Sequence, residues 1–266
     1  MLPGAVAKAV LVFGGTTEGK QVAAWLGNTD YPFWYSTKTP VEISLPANGR
    51  ARWGAFTTAA LVAFCQEHQV GCLVHASHPF AEQLHTTIAE ASRQLGLPVL
   101  RVERRYPARL DHPLVRYMAD YESVVSQLLL EGYAPALALS GVQTIERLRG
   151  YWQQRPLFCR ILPRDASVAL AQRAGFPVAH LVTEWPGAGL AEEVALIQRT
   201  GAQAVITKES GESGFLSVKI AAALHVGVPI FIVRRPTLPA SFHHLARADE
   251  LLAFLPLCLH GPSADS

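Results

Sequence analysis

Val10-Leu-Val-Phe-Gly-Gly-Thr-Thr-Glu-Gly19 is a short apolar run that stops at two glycines and turns into a helix-like segment. That grammar describes a buried parallel strand feeding a tight turn and a helix N-terminus, where backbone N–H groups can hold a phosphate. The stretch lies near the start of the chain, where a nucleotide-binding Rossmann-like domain would begin. It departs from the standard dinucleotide fingerprint, because a G-x-G-x-x-G reading from Gly14 needs glycine at the position held by Thr16. Phosphate binding and a plain strand-to-helix turn both fit the stretch taken alone.

Outward from it, short β-rich runs alternate with helix-like runs. Strands are predicted at 9–13, 33–36, 71–76, 99–102, 136–139, 158–162, 178–183, 204–207 and 229–233. Helices are predicted between them, and over 248–254. The strands are apolar throughout instead of alternating, as in a parallel sheet covered on both faces. Strand–helix alternation then calls for a doubly wound α/β architecture with right-handed crossovers.

Two segments are unusually alike. Gly71-Cys-Leu-Val-His-Ala-Ser-His-Pro79 leads to a helix, Gly96-Leu-Pro98, a strand and Arg104-Arg105. Ala204-Val-Ile-Thr-Lys-Glu-Ser-Gly211 leads to a helix, Gly227-Val-Pro229, a strand and Arg234-Arg235. Any two β-α-β units share some of this, but the matched arginine pairs favour two related halves. The expected organisation is two Rossmann-like parallel-sheet half-domains, 1–106 and 107–266, joined near the Pro- and Arg-rich stretch 104–113, with a ligand cleft between them.

The bulk properties agree. Half of the 266 residues are apolar and 17% are charged, which supports a substantial core. A net charge of +2 gives no sign of a general nucleic-acid-binding surface, so anion binding must come from local clusters. The four cysteines form no C-x-x-C pair and read as reduced thiols in or near the core; no metal site is expected. With no signal-peptide pattern and no apolar run near the ~18 residues of a membrane span, a soluble, cytoplasmic protein is expected.

In open α/β sheets, ligands bind beyond the carboxyl ends of the strands. The residues there are strongly polar: Thr16, Thr17 and Glu18; Ser36, Thr37 and Lys38; Ser77 and His78; Arg104; Ser140; Lys208 and Ser210; Arg235. Two such sets facing each other would line a cleft with cations, suited to a substrate carrying several carboxylates or phosphates. NAD enzymes place an acid roughly 20 residues beyond the glycine turn, to accept ribose hydroxyls. Here that place reads Ser36-Thr-Lys38, which suits a 2′-phosphate, although an ordinary exposed loop would read the same way. No P-loop, G-x-S-x-G elbow or H-E-x-x-H motif is present, so hydrolase and zinc chemistry have no visible support.

Four motifs together resemble the precorrin-6A reductase family of cobalamin biosynthesis: Gly14-Gly-Thr-Thr-Glu-Gly19, Ala76-Ser-His-Pro-Phe-Ala81, Thr207-Lys-Glu-Ser-Gly211 and Arg235-Pro236. Glu103-Arg104 and Ser140-Gly141 fall where that family has Glu-Arg and Thr-Gly, and the likeness spans about residues 8 to 240. The chain departs from the family pattern at His75, Ser77 and Glu209, where Asp, Thr and Asp or Asn are usual. The resemblance implies hydride reduction of one double bond of a tetrapyrrole rich in carboxylates, with a nicotinamide cofactor, NADPH or NADH. The glycine turn and the end of the second strand assign Gly14, Gly15, Thr16, Thr17, Glu18, Gly19, Ser36, Thr37 and Lys38 to the cofactor. Ser77, Arg104, Ser140, Lys208, Ser210 and Arg235 are assigned to the substrate, and His78 is the first candidate proton donor. A monomer or weak homodimer is expected. A two-lobed transferase using a nucleotide-activated donor, or a non-catalytic small-molecule sensor, would show similar alternation.

Overall fold

The computed structural model describes residues 8–260, apart from Ala188. The chain divides into two compact units, one running to Arg105 and resuming at Pro236, the other Tyr106–Arg235. The first unit contains β1 (Ala9–Phe13), α1 (Thr17–Leu26), β2 (Phe33–Thr37), β3 (Gly49–Trp53), α2 (Thr58–Glu67), β4 (Val70–His75), α3 (Glu82–Leu95) and β5 (Val99–Val102). In the second, β6 (Val115–Met118), α4 (Tyr121–Glu131), β7 (Ala136–Ala138), α5 (Arg149–Trp152), β8 (Leu157–Ile161) and α6 (Asp165–Arg173) come first. They are followed by β9 (Leu181–Thr183), α7 (Leu190–Thr200), β10 (Ala204–Lys208), α8 (Leu216–Val226) and β11 (Ile230–Val233). The chain then returns to the first unit with β12 (His243–Leu245) and α9 (Leu251–His260).

Each unit is built on a six-stranded sheet, ordered β12-β5-β4-β1-β2-β3 in the first and β6-β11-β10-β7-β8-β9 in the second. All the pairings between these strands are parallel. Starting from β1 and from β7, both sheets follow the doubly wound order 3-2-1-4-5, with β12 and β6 in sixth place. The two segments matched in the sequence, β4-α3-β5 and β10-α8-β11, therefore occupy the same fourth and fifth positions. Their Gly-x-Pro turns do the same work: Gly96 and Gly227 end α3 and α8 with φ of 66° and 80°, a left-handed cap after which proline prevents further helix.

The central strand β1 shows why both faces must be covered. Val10 and Val12 face α1 and α9, packing with Val22, Leu26, Leu251 and Leu255. Leu11 and Phe13 face the other side, with Leu61 of α2 and Ile88 of α3. Burying each such side chain contributes about 1.5–3 kcal/mol.

The second unit, expected to span 107–266, ends at Arg235. The described residues from Pro236 to His260 belong to the first unit instead. Two features pull them back: β12 pairs with the otherwise open edge of β5, and Leu251, Leu255 and Leu259, four residues apart on one face of α9, are buried in the first core.

Candidate active site

In the first sheet the topology reverses between β1 and β4, and the residues after these two strands flank the crevice where doubly wound folds bind ligands. At Gly14 a Cβ would lie 2.1 Å from Cζ of Tyr35, so no side chain fits there. Gly15 has φ of 89°, which favours glycine, and its N–H donates to the Tyr35 hydroxyl at 2.9 Å. Thr16 caps α1, its Oγ1 accepting from the Gly19 N–H at 3.1 Å. The same hydroxyl donates to the Ala76 carbonyl at 2.6 Å, which ties the glycine turn to the loop after β4. With Gly14, Gly15 and Gly19 donating internally, what the turn offers an anion is the rest of the first turn of α1, whose N–H groups have no intrahelical acceptor.

Glu18 and Arg104 form an ion pair at 3.2 Å, with side chains only 10% and 7% exposed. A residue assigned to the cofactor and one assigned to the substrate thus meet within the first unit, and the Arg104 charge is answered there. At the end of β2, Ser36 and Thr37 are buried and Lys38 is exposed. Thr37 Oγ1 donates to the Thr39 carbonyl at 2.7 Å, and Ser36 Oγ accepts from Arg52 at 3.0 Å.

Beyond β4 the polar groups turn inward. Ser77 Oγ lies 3.2 Å from His75 Nδ1. Arg101, fully buried on β5, has Nη1 3.0 Å from the same nitrogen and donates to the Ser77 carbonyl at 3.0 Å; its Nε donates to Glu103 at 2.7 Å. His75 must therefore be neutral, with Nδ1 accepting. Burial holds its pKa well below the usual value, helped by Arg101 and by His85. Burial and then Arg101 lower His85 to about 4. His78 is half-buried, and its Nδ1 accepts from the Phe80 N–H at 3.1 Å, which assigns the proton of the neutral ring to Nε2.

The second sheet reverses between β7 and β10. Ser140 is buried and shares a hydrogen bond with Thr144 at 2.7 Å, so its hydroxyl shapes its own loop. Lys208 ends β10 half-buried, and Ser210 is buried just beyond it. Beneath them Lys219 of α8 donates to the Gly214 carbonyl at 2.8 Å and to the Leu139 carbonyl at 3.4 Å. Burial, with Arg160 nearby, lowers this lysine to about 7. Arg160 itself pairs with buried Glu193 at 2.5 Å.

Glu209, also buried, organises the cations at the end of β11. It accepts from Arg109 Nε and Nη2 at 3.0 and 3.1 Å and from the Arg235 N–H at 3.0 Å. Burial works to raise its carboxyl, but the Arg109 and Arg235 hydrogen bonds carry it below the usual value. The Arg235 guanidinium lies over the Tyr106 ring, 3.6 Å from its centroid, with its side chain 38% exposed. Arg52, Arg101, Arg109 and Lys219 were not anticipated from the sequence. Among the described residues no three His, Cys, Asp or Glu side chains gather as a metal site, and no helix is long and apolar enough to cross a membrane.

Comparison with known proteins agrees with this architecture. A cobalt-precorrin-6A reductase of Synechocystis sp. is 32% identical over 190 residues, covering 70% of this chain and 72% of that protein. The cobalt-precorrin-6A reductase of Salmonella typhimurium is 26% identical over 250 residues, covering 91% of each. A solved structure described as CobK precorrin-6A reductase superposes with a TM-score of 0.76 at 23% identity, covering 97% of this chain and 100% of that one, which shows a shared fold. The family described as "Precorrin-6x reductase CbiJ/CobK" matches residues 9–255, through both sheets and both reversal points, and the chain belongs to that family.

Proposed function

We propose that this protein reduces one double bond of the precorrin-6A macrocycle, metal-free or carrying cobalt, with a nicotinamide cofactor, in cobalamin biosynthesis. The observation that carries this reading is the family match over 9–255, which takes in the glycine turn and the Lys208 loop together. The local geometry of the first unit supports a nucleotide there. A glycine turn crowded at Gly14 and Gly19 opens onto a helix N-terminus, and hydroxyls and cations stand at the end of β2 where an NAD site has a carboxylate. NADPH is accordingly the proposed cofactor, at the β1/β4 reversal.

When bound, the cofactor supplies the hydride; the chain's own groups bind, orient and protonate. His78 is proposed to present its Nε2 proton to the carbon beside the one reduced. Arg101, through the Ser77 carbonyl, fixes the loop that carries it. Substrate carboxylates are assigned to Lys208, Ser210 and Arg235 in the second unit, where Tyr106 and Glu209 hold the Arg235 fork in place. Arg104, engaged by Glu18, is reassigned to steadying the first turn of α1.

The test is anaerobic incubation with precorrin-6A and with its cobalt form, each with NADPH and with NADH, followed by absorbance. Loss of reduced nicotinamide together with a change in the macrocycle spectrum is expected. A transferase or a sensor would consume no nicotinamide, and that result ends the proposal. His78→Ala should lower kcat more than it raises KM; a change confined to KM would make His78 a binding group.

A further inference from the structure

Arg52 lies on β3, directly beside Ser36 in the parallel ladder with β2. Its guanidinium is held from three directions. Nη1 donates to Ser36 Oγ at 3.0 Å, Nη2 donates to the Trp53 carbonyl at 2.9 Å, and the plane lies over the Phe56 ring 3.7 Å from its centroid. Phe56 is itself backed by Phe64 and Phe13, at centroid distances of 5.4 and 6.2 Å, so the platform is fixed.

Most immobilised arginines of this protein are answered by an acid: Arg101 by Glu103, Arg104 by Glu18, Arg109 by Glu209 and Arg160 by Glu193. Arg52 has no acidic partner among the described residues, and burial alone shifts its pKa, downward. A fork pinned flat on an aromatic face, half out of water and without a counter-charge, is organised for an anion supplied from outside. Ser36 and Trp53 take only two of its five N–H donors. Its place is specific too. Ser36 and Thr37 end the strand after the glycine turn, and a Cβ at Gly15 would lie 3.7 Å from the Thr37 methyl, so the end of β2 adjoins that turn. In doubly wound nucleotide folds this position receives the adenosine ribose, and an arginine there accommodates a 2′-phosphate.

We infer that Arg52, pinned by Ser36, Trp53 and Phe56, is the residue that reads the 2′-phosphate of the cofactor, with Lys38, exposed just after β2, as a second cation. The inference rests on the proposed function, since it presumes a nicotinamide dinucleotide in the first unit. The fork makes paired hydrogen bonds that a lysine cannot reproduce.

The experiment measures binding of NADPH, NADH, 2′,5′-ADP and 5′-ADP to the purified full chain, by nicotinamide fluorescence and calorimetry, in wild type, Arg52→Gln and Arg52→Lys. Wild type should bind NADPH more tightly than NADH, and 2′,5′-ADP more tightly than 5′-ADP. Arg52→Gln, which keeps a donor for Ser36, should weaken NADPH and 2′,5′-ADP by roughly ten- to a hundred-fold. NADH and 5′-ADP should change by no more than about two-fold, and Arg52→Lys should fall between. An unchanged NADPH-to-NADH ratio in Arg52→Gln, with wild type binding both, overturns the role of Arg52 and leaves the reductase reading standing. Failure of wild type to bind either nicotinamide overturns both.

Discussion

The two sheets share one strand order, and in each the loops after the first and fourth strands are tied across the point where the topology reverses, but by different chemistry. In the first unit the tie is neutral: Thr16 Oγ1, part of the turn itself, reaches the Ala76 carbonyl. In the second it is an ammonium from below, Lys219 Nζ, shared between the Leu139 and Gly214 carbonyls. The first unit has a buried cation as well, but one strand further on, where Arg101 supports the Ser77–His78 loop. An arginine cannot lose its proton in any working range, whereas a buried lysine can. The first crevice is therefore supported by a permanent charge and the second by one that can be shed near neutrality. Each of the following experiments attacks one side of that contrast.

The largest effect is expected at Arg101. Replacement by methionine leaves Glu103, His75 and the Ser77 carbonyl without their donor, and removing one partner of a buried pair costs about 3–5 kcal/mol. Urea denaturation should show that loss, with amide exchange accelerating in the first unit. The variant should also respond differently to acid. In wild type His75 and His85 have depressed folded pKa values, so the unfolded chain binds their protons first and stability falls as pH drops from about 6.5 towards the folded value of about 4 for His85. Without the Arg101 charge both histidines protonate more readily, and this acid-side decline should be shallower. An equally steep decline in Arg101→Met would mean that burial alone keeps the histidines neutral.

How much of this could be read beforehand follows from where each residue sits. The continuous apolar strands were legible because both their faces are covered. The strands missed outright, β3, β6 and β12, all lie on sheet edges. An edge meets solvent and carries polar residues, as in Gly49-Arg-Ala-Arg-Trp53 and His243-His-Leu245, so no apolar run announces it. The boundaries of 178–183 failed for the same reason, since β9 is the fourth edge and 178–180 form a 3-10 turn. At the candidate site, the loops could be found by their position after strands, but not the partners of the residues in them. Lys219 reads as one more solvated helix lysine, and Arg52 as a loop arginine in a segment where no strand was predicted. Arg101 and Arg160 did leave a signal: an arginine inside Val99-Leu-Arg-Val102 or Leu157-Phe-Cys-Arg-Ile161 sits in a strand buried on both faces, where a charge needs a partner.

Lys219 comes second in size, and its signature is a slope. Its pKa is depressed from 10.5 to about 7, so between those values the unfolded chain holds a proton that the folded chain has released, and stability rises with pH across that window. The contribution is at most about 1.4 kcal/mol per pH unit. Lys219→Met lacks the ionisation, so the stability of wild type relative to the variant should grow from pH 7 towards pH 10. Denaturation of both proteins at matched pH isolates the lysine from the tyrosines and cysteines that titrate in the same range. A constant difference would mean that Lys219 keeps its charge, and that both crevices are supported by a permanent cation.

The smallest effect belongs to Thr16, and it separates a cap from a tie. Thr16→Ala removes the acceptor for the Gly19 N–H and the donor to the Ala76 carbonyl together, at a cost of about 1–2 kcal/mol. Loss of a cap by itself would loosen only the start of α1. Loss of the tie also frees the glycine turn from the Ala76–His78 loop, so NADPH affinity should fall a few-fold beyond what the stability change explains. Thr16→Ser keeps both hydrogen bonds and should restore both quantities. The matching change in the second unit, Ser140→Ala, breaks a hydrogen bond inside one loop only, because there the crossing is made by Lys219. It should leave NADPH affinity where it was. If Thr16→Ser behaves like Thr16→Ala, or if Ser140→Ala weakens NADPH as much, the hydroxyl is not what ties the first crevice together and the contrast between the two units fails at its first term.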